Sequence, residues 1–523
     1  MKIQQIEWSN YRRIPDGCLE VRQHLVLVGP NDSGKSSIVR ALHICLGMAH
    51  TQAAAAISAR DFTDEAQPLT ISVTLDGIEH EDRAAFPDEI STGPPEILVV
   101  SLEATVDPTD PEHKVVKRFF PHSGHNRGPS KDQLAAIGFQ HVPAARSLLR
   151  ELGGGQAGAI RSLLSGLDLT ADAAAFQAAA DEYRTALDGS TALGTFRRDL
   201  ADALSAALPL EIDEAAVRVV SDVEVLDDPL AGVGVTIAED GRDVPLAEQS
   251  DGIRALSVLT LLSMSHQTAK IVALDEPETH LHPTAQRSVA RMLRTGPGQR
   301  VIVTHAAAVV REAGPLDVVA VRADRQMHQL PVHAPIATFD ATVRHWSHDL
   351  IEPLTARRVV LVEGVSDRIL VERVAELTGR DLHRSGAAIF DIGGSGMFSV
   401  AYPFFGPAGF NVPLVGLLDE DARVKWADEL GVLPGDLEAA YIDHLGADVV
   451  LQMLLASPIV KKQSLLDVCG VGDVGDITRD QLWNYCRGSA KKVACATAVV
   501  ASLDANQAAA ITPLVDLLVL ATA

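Results

Sequence analysis

Apolar positions along the chain follow two regimes that alternate. From residue 1 to about 145 they fall in short runs: KIQQIEW alternates, HLVLVG is an unbroken block, and LTISVTL and EILVVSLEATV follow before the hydrophilic PHSGHNRGPSKDQ. Alternation marks a half-buried strand and a short apolar block bounded by turn residues a fully buried one, so this region predicts sheet. Between about 145 and 208, ARSLLRELGGGQAGAIRSLLSGL and ADAAAFQAAADEYRTAL are rich in Ala and Leu with a Gly break, which predicts a helical insert. Strands return between about 216 and 325 in AVRVVSDVEV, GVGVTIAED, AKIVALDEPE, QRVIVTH and LDVVAVRA. Residues 331 to 356, with Pro331, Pro335 and Pro353, read as a connector. A second α/β pattern runs from 357 to about 455, and mostly helical sequence completes the chain.

Length changes this picture first. At 523 residues the chain exceeds what one core supports, so two or three domains are expected. With 47% hydrophobic and 22% charged residues the composition is that of a globular protein. The net charge of −24, from 45 basic and 69 acidic residues, argues against a surface that attracts nucleic acid everywhere. A polyanion would have to be held by local basic patches or by metal ions. Arg12-Arg13, Arg197-Arg198, Arg357-Arg358, Lys461-Lys462 and Lys491-Lys492 are the pairs to consider, although such pairs are commonly solvated charge. The five cysteines are scattered and form no CxxC, which predicts reduced thiols and no structural zinc. The N-terminus has no charged-then-apolar signal pattern and no apolar stretch is long enough to span a bilayer, so a cytoplasmic protein with no membrane partner is expected.

The strongest chemical signal is LVLVGPNDSGKSSIVRAL, where Gly29-x4-Gly34-Lys35-Ser36 lies between an apolar strand and a helical pattern. Glycines let backbone amides wrap phosphates at a helix N-terminus, Lys35 reaches the outer phosphates and Ser36 holds magnesium. Asn31, Gly34, Lys35, Ser36 and Ser37 are the nucleotide-side candidates. KIVALDEPETHLHP supplies the partner strand: Asp275 is suited to orient the magnesium and Glu276 to polarise an attacking water. RVIVTH ends another strand in His305, an ordinary strand-end residue on its own but a γ-phosphate contact in this order.

These residues resemble the ABC-type ATPase heads of recombination and chromosome-maintenance proteins. One part departs. The Leu-Ser-Gly-Gly-Gln signature of transporter-type heads, which caps a nucleotide across a dimer, is replaced by Ser250-Asp251-Gly252, leaving Ser250 and Gly252 as candidates for that cap.

A second chemistry begins at RRVVLVEGVSDR. Glu363 ends an apolar strand and Asp367 follows at the start of the next helix, where ligands collect in open parallel sheets. VPLVGLLDEDAR is another apolar strand ending in Asp419-x-Asp421, and AIFDIGGSGMF lies between them with a glycine-rich turn. Glu363, Asp419 and Asp421 on one edge would make a hard oxygen site for Mg2+ or Mn2+. Each piece alone has a plainer reading: a Glu-Gly at a strand end is often only a turn, and Asp419 to Asp421 a solvated loop. Asp367 and Glu438 are candidates for a second metal, and Lys491 or Lys492 for a charge-stabilising cation. For Glu438 and the two lysines a solvated helix face is an equal alternative.

The ordered set resembles the Toprim domain of topoisomerases, primases and a class of nucleases. Head and Toprim in one chain resemble the OLD (overcoming lysogenisation defect) family of ATP-dependent nucleases, over about residues 1 to 500. The resemblance implies an α/β fold. An ABC-type head would occupy 1–335 with a helical dimerisation insert at about 150–207, a linker 336–356, a Toprim domain 357–458 and a helical C-terminal segment 459–523. It further implies ATP and Mg2+ as cofactors, DNA as substrate, and a homodimer or higher homo-oligomer. In part of the family a helicase-like partner protein works with the chain. The expected activity is an ATP-regulated, two-metal DNA endonuclease in phage defence or DNA processing. The alternatives are an ATPase sensor or structural protein whose Toprim unit does not cut, and a recombination-type repair ATPase with a vestigial C-terminal domain.

Overall fold

The computed structural model describes residues 1–91, 93–107, 110–123, 127–142, 182, 185–207, 211–221, 233–239, 241–245, 248–250, 252–253, 256, 270–279, 281–333, 346, 350–418, 431–432 and 436–523. They form two compact units, Met1–Val319 and Ala320–Ala523.

In the first unit, β1 (Lys2–Ser9) buries Ile3, Ile6 and Trp8 and turns its polar residues outward, as the alternation predicts. It joins β2 (Gly17–Glu20), β4 (Leu69–Asp76), β5 (Leu98–Asp107) and β6 (Asp110–Phe119) in an antiparallel sheet of order β2-β1-β4-β5-β6. A second sheet is parallel where it matters for chemistry. Four of its strands run in the order β3 (Leu25–Val28), β12 (Gln299–Thr304), β11 (Ile271–Asp275), β7 (Phe139–Val142), the last at the edge. β3 and β12 are buried along their whole length, which is why LVLV and the VIV of β12 read as apolar blocks rather than alternating ones. β6 was not anticipated: its PEHKVVKRF reads as hydrophilic, and only pairing with β5 makes a strand of it.

Of the expected helical insert, α2 (Thr191–Ala207) is described. Its Leu200 and Leu204 pack with Val217 and Ile237 of a three-stranded sheet made of β8 (Val217–Ser221), β9 (Val233–Glu239) and β10 (Arg242–Pro245). Residues 143–181 of the insert lie outside the described residues.

The second unit has four parallel strands in the order β14 (Ala387–Asp391), β13 (Arg358–Val362), β15 (Leu414–Leu418), β16 (Gly431–Val432). Helix α3 (Val365–Leu377) follows β13. The later helices α4 (Leu437–Leu445), α5 (Ala447–Ala456), α6 (Arg479–Cys486), α7 (Lys492–Ser502) and α8 (Thr512–Thr522) share one core with this sheet. Val360, Leu370, Val374, Tyr441, Leu454, Val499 and Leu518 are members of it. Burying each large apolar side chain is worth about 1.5–3 kcal/mol. The C-terminal helices are therefore a structural half of this unit and set where α4 and α7 stand. Among the described residues no single helix is long and apolar enough to cross a membrane. The bent pair α4 and α5 passes by composition, but its Leu437, Ile442, Val450 and Leu454 belong to the core.

Candidate active sites in the two units

Parallel strands deliver their C-terminal ends to one edge. The register pairs Val28 with Thr304 and Val303 with Asp275, so the loop after β3, the residue after β11 and the residue after β12 emerge together. The loop is Gly29 to Gly34, and α1 (Lys35–Leu42) follows directly. Gly34 sits at φ 107°, and a Cβ there would run into Ile14 Cγ2, so both strain and space require glycine.

Lys35 is buried and donates to the carbonyls of Gly29 (2.9 Å) and Pro30 (2.8 Å), which curls the loop around its ammonium group. Burial lowers its pKa, opposed by Glu276, Asp275 and Asp32. Ser36 Oγ donates to Asp275 Oδ1 at 3.4 Å, and burial raises the Asp275 carboxyl against that bond. A hydroxyl and a carboxylate converging on one point are hard oxygen donors of the kind magnesium takes. This pair fits that ion.

Glu276 adopts φ 47° at the strand end and faces His305 Nε2 at 3.6 Å. Ser37, expected on the nucleotide side, accepts from Arg12 Nη1 at 3.2 Å; Arg12 in turn pairs with the buried Asp61. Asn31 is exposed in the loop turn. Ser250 Oγ accepts from Ile253 N, and among the described residues no hydrogen bond joins Ser250 or Gly252 to the loop. Asp251 lies outside the described residues.

Sequence reasoning missed Glu278. Its buried Oε1 accepts from Thr304 Oγ1 (2.7 Å) and from His305 N (2.6 Å), and Ala306 N donates to Thr304 Oγ1 (2.9 Å). Burial raises its pKa. This carboxylate ties the end of β12 to the turn after β11 and so sets the backbone of His305. The signal was the second Glu of DEPE, two residues after Glu276.

In the second unit Val362 pairs with Asp391, so Glu363 and Asp391 leave adjacent strand ends. The glycine turn is pinned there: Gly394 N donates to Glu363 O (2.7 Å), Ile392 N to Val362 O (3.1 Å), and Trp346 Nε1 to Ile392 O (3.1 Å). Gly393 and Gly394, at φ 82° and 120°, permit that turn. Asp391, which was not singled out from sequence, is the second acidic strand end.

Asp367 Oδ2 accepts from Gly364 N at 2.9 Å, reaching back to the start of α3 as a helix cap. Burial pushes its carboxyl up to about 6; the Gly364 amide and Lys492 oppose this, and Glu363 and Asp391 add to it. Glu438, in the first turn of α4, is 1% exposed. Its Oε2 faces Lys492 Nζ at 3.4 Å and has no hydrogen-bond partner among the described residues. Burial pushes it up to about 7 against Lys492. The two lysines part company: Lys491 donates to Ser464 Oγ (3.1 Å) and lies over the Tyr485 ring, away from Glu438.

Asp367 is thus under the electrostatic influence of Lys492, Glu363 and Asp391, and Glu438 under that of Lys492, Asp436 and Asp367. Carboxylate oxygens are the hard donors a divalent cation takes, but among the described residues no three such side chains group closely enough to hold an ion. Asp419 and Asp421 lie outside the described residues.

The family model described as "AAA domain, putative AbiEii toxin, Type IV TA system" matches residues 25–311, more than half of the chain. A second, "Overcoming lysogenization defect protein-like, TOPRIM domain", matches residues 354–421. The chain belongs to the AAA-domain ATPases and has the ATPase–Toprim architecture of the OLD family. No curated protein matches it. Similar solved structures include a SmcHead bound to the C-winged helix domain of ScpA, at 14% identity over 62% of this chain and 97% of that one, TM-score 0.40. The SMC head domain from Thermotoga maritima matches at 16% identity over 64% and 100%, TM-score 0.35. The C-terminal region of the Burkholderia pseudomallei OLD protein matches at 20% identity over 32% and 99%, TM-score 0.25. For this OLD-type chain, then, the first site belongs to the ATPase domain, and Glu363, Asp367 and Asp391 lie within the stretch matched as Toprim.

Proposed function

We propose that this OLD-type chain is an ATP-regulated, divalent-metal-dependent DNA endonuclease. What supports the reading is that Glu363 and Asp391 leave adjacent strand ends of a parallel sheet, with Asp367 within electrostatic reach of both and of Lys492, which pairs with Glu438. Carboxylates at neighbouring strand ends repel one another, and divalent cations relieve that repulsion. Glu363, Asp419 and Asp421 would hold one ion, with Asp367 and Glu438 serving a second. When bound, the ions supply an activated water and neutralise the leaving oxygen of a phosphodiester. Lys492, paired with Glu438, would supply an ammonium group to stabilise charge developing on the phosphate.

ATP held by Lys35, Ser36 and Asp275, and turned over with Glu276, would engage or separate the heads of a homodimer and so regulate cutting. The cellular setting of this reading is the cytoplasm, in phage defence or DNA processing. One observation favours the alternative of an ATPase whose Toprim domain binds without cutting. Among the described residues no three His, Cys, Asp or Glu side chains group closely enough to hold an ion.

Supercoiled plasmid incubated with Mg2+ or Mn2+, with and without ATP, separates the two. Wild type should nick or linearise it and Asp419→Ala should not. Cutting that persists in Asp419→Ala removes the assigned site. Inert wild type with intact ATP turnover selects the non-cutting reading.

A further inference from the structure

Helix α6 and its C-cap carry Arg479, Trp483 and Arg487 at intervals of four, one above another on a single face. The guanidinium carbons lie 5.6 Å (Arg479) and 4.5 Å (Arg487) from the Trp483 ring centroid, within cation–π range. The two arginines are committed very differently. Arg479 donates Nε and Nη2 to the two oxygens of Asp443 (2.9 and 2.8 Å) and Nη1 to Asp480 (3.1 Å). Arg487 is 48% exposed, and its one carboxylate contact among the described residues is Asp436 Oδ2 at 3.9 Å from Nε, too long for a hydrogen bond. Among the described residues its guanidinium donates no hydrogen bond.

Asp436 ties this stripe to the candidate nuclease site. Its Oδ1 accepts from Trp483 Nε1 (2.8 Å) and from Ala439 N (2.7 Å), so one carboxylate both pins the indole and caps α4, the helix that carries Glu438. The start of α4 is therefore met by two cations, one at the C-cap of α6 and one at the first residue of α7. Arg487 faces Asp436, and Lys492 faces Glu438. A half-exposed guanidinium held on an aromatic face, with no hydrogen bond among the described residues, suits bidentate contact to a phosphate. In a chain of net charge −24 it is also the kind of local cation that a polyanion would need.

We propose that Arg487, held in place by Trp483, binds the DNA backbone phosphate adjoining the one at Glu438 and Lys492. This rests on the nuclease reading above. Its test is anisotropy titration of the full chain with a labelled duplex in EDTA, where no cutting contributes, over a series of salt concentrations. Arg487→Gln is expected to reduce the slope of log K against log salt by about 0.9 and to weaken binding about 5–10-fold. ATP turnover should be unchanged. Arg487→Lys keeps the charge but not the planar stack, so it should retain the slope and lose affinity. That variant also decides the matter if Arg487→Gln does not fold. Wild-type slope and affinity in either variant overturn the inference, as does a wild type that binds no DNA. A wild type with an Arg487-dependent slope that cuts no plasmid sinks the nuclease reading alone. Cutting without that dependence sinks this inference alone.

Discussion

Glu278 is the most informative residue to perturb in the ATPase domain, because its carboxylate holds two strand ends together without needing to touch nucleotide. In Glu278→Ala the Thr304 hydroxyl and the His305 amide both lose their acceptor, at 2.7 and 2.6 Å in the wild type. Hydrogen bonds to a charged group are worth about 1.5–3 kcal/mol each. Removing a buried carboxylate returns part of that, since burial already raises its pKa. A net loss of about 1–4 kcal/mol follows. The kinetic effect is indirect: His305, 3.6 Å from Glu276, is no longer fixed, and a displacement of an ångström or so costs up to about 100-fold in turnover. Glu278→Gln keeps one acceptor oxygen at the same place and should recover most of the stability. The assay is steady-state ATP hydrolysis beside thermal melting for wild type, Ala and Gln. If Glu278→Ala melts with the wild type and turns over ATP at the wild-type rate, the positioning role is refuted.

Two further outcomes follow from the same geometry. Lys492→Ala should abolish plasmid cutting while Lys491→Ala keeps it, because only Lys492 faces Glu438; equal loss in both variants would contradict the split. Asp317 is buried and its carboxyl is pushed up to about 6 from 3.8, so the folded state holds that proton more tightly than the unfolded state does. Stability therefore falls as pH rises between those values and stays lower above them, by at most about 3 kcal/mol. Asp317→Asn should melt higher than wild type at pH 7.5, with the advantage shrinking towards pH 4. An advantage that does not change with pH would count against it.

The candidate site of the ATPase domain was legible because its parts are contiguous or sit at the ends of apolar blocks. Gly29 to Ser36 is one loop, and Asp275, Glu276 and His305 each end a buried strand. The second site was readable only in outline. Asp391 sits in a run whose glycines drew the reading towards a turn, and its partnership with Glu363 depends on Val362 pairing with Asp391 across β13 and β14. Lys491 and Lys492 are indistinguishable as neighbours in a string. Their contacts diverge because Lys491 is the N-cap of α7 and Lys492 its first helical residue, so one side chain reaches Ser464 and the other Glu438.

Local sequence by itself determined where strands end and which of them end in phosphate- or metal-type chemistry, since apolar runs, glycines and carboxylates act over a few residues. Only the tertiary structure decided which of those ends meet. Trp483 reaches Asp436 across 47 residues, and Thr304 reaches Glu278 across 26. The physical reason is that burial and strand register, rather than spacing along the chain, set the distance between two charges.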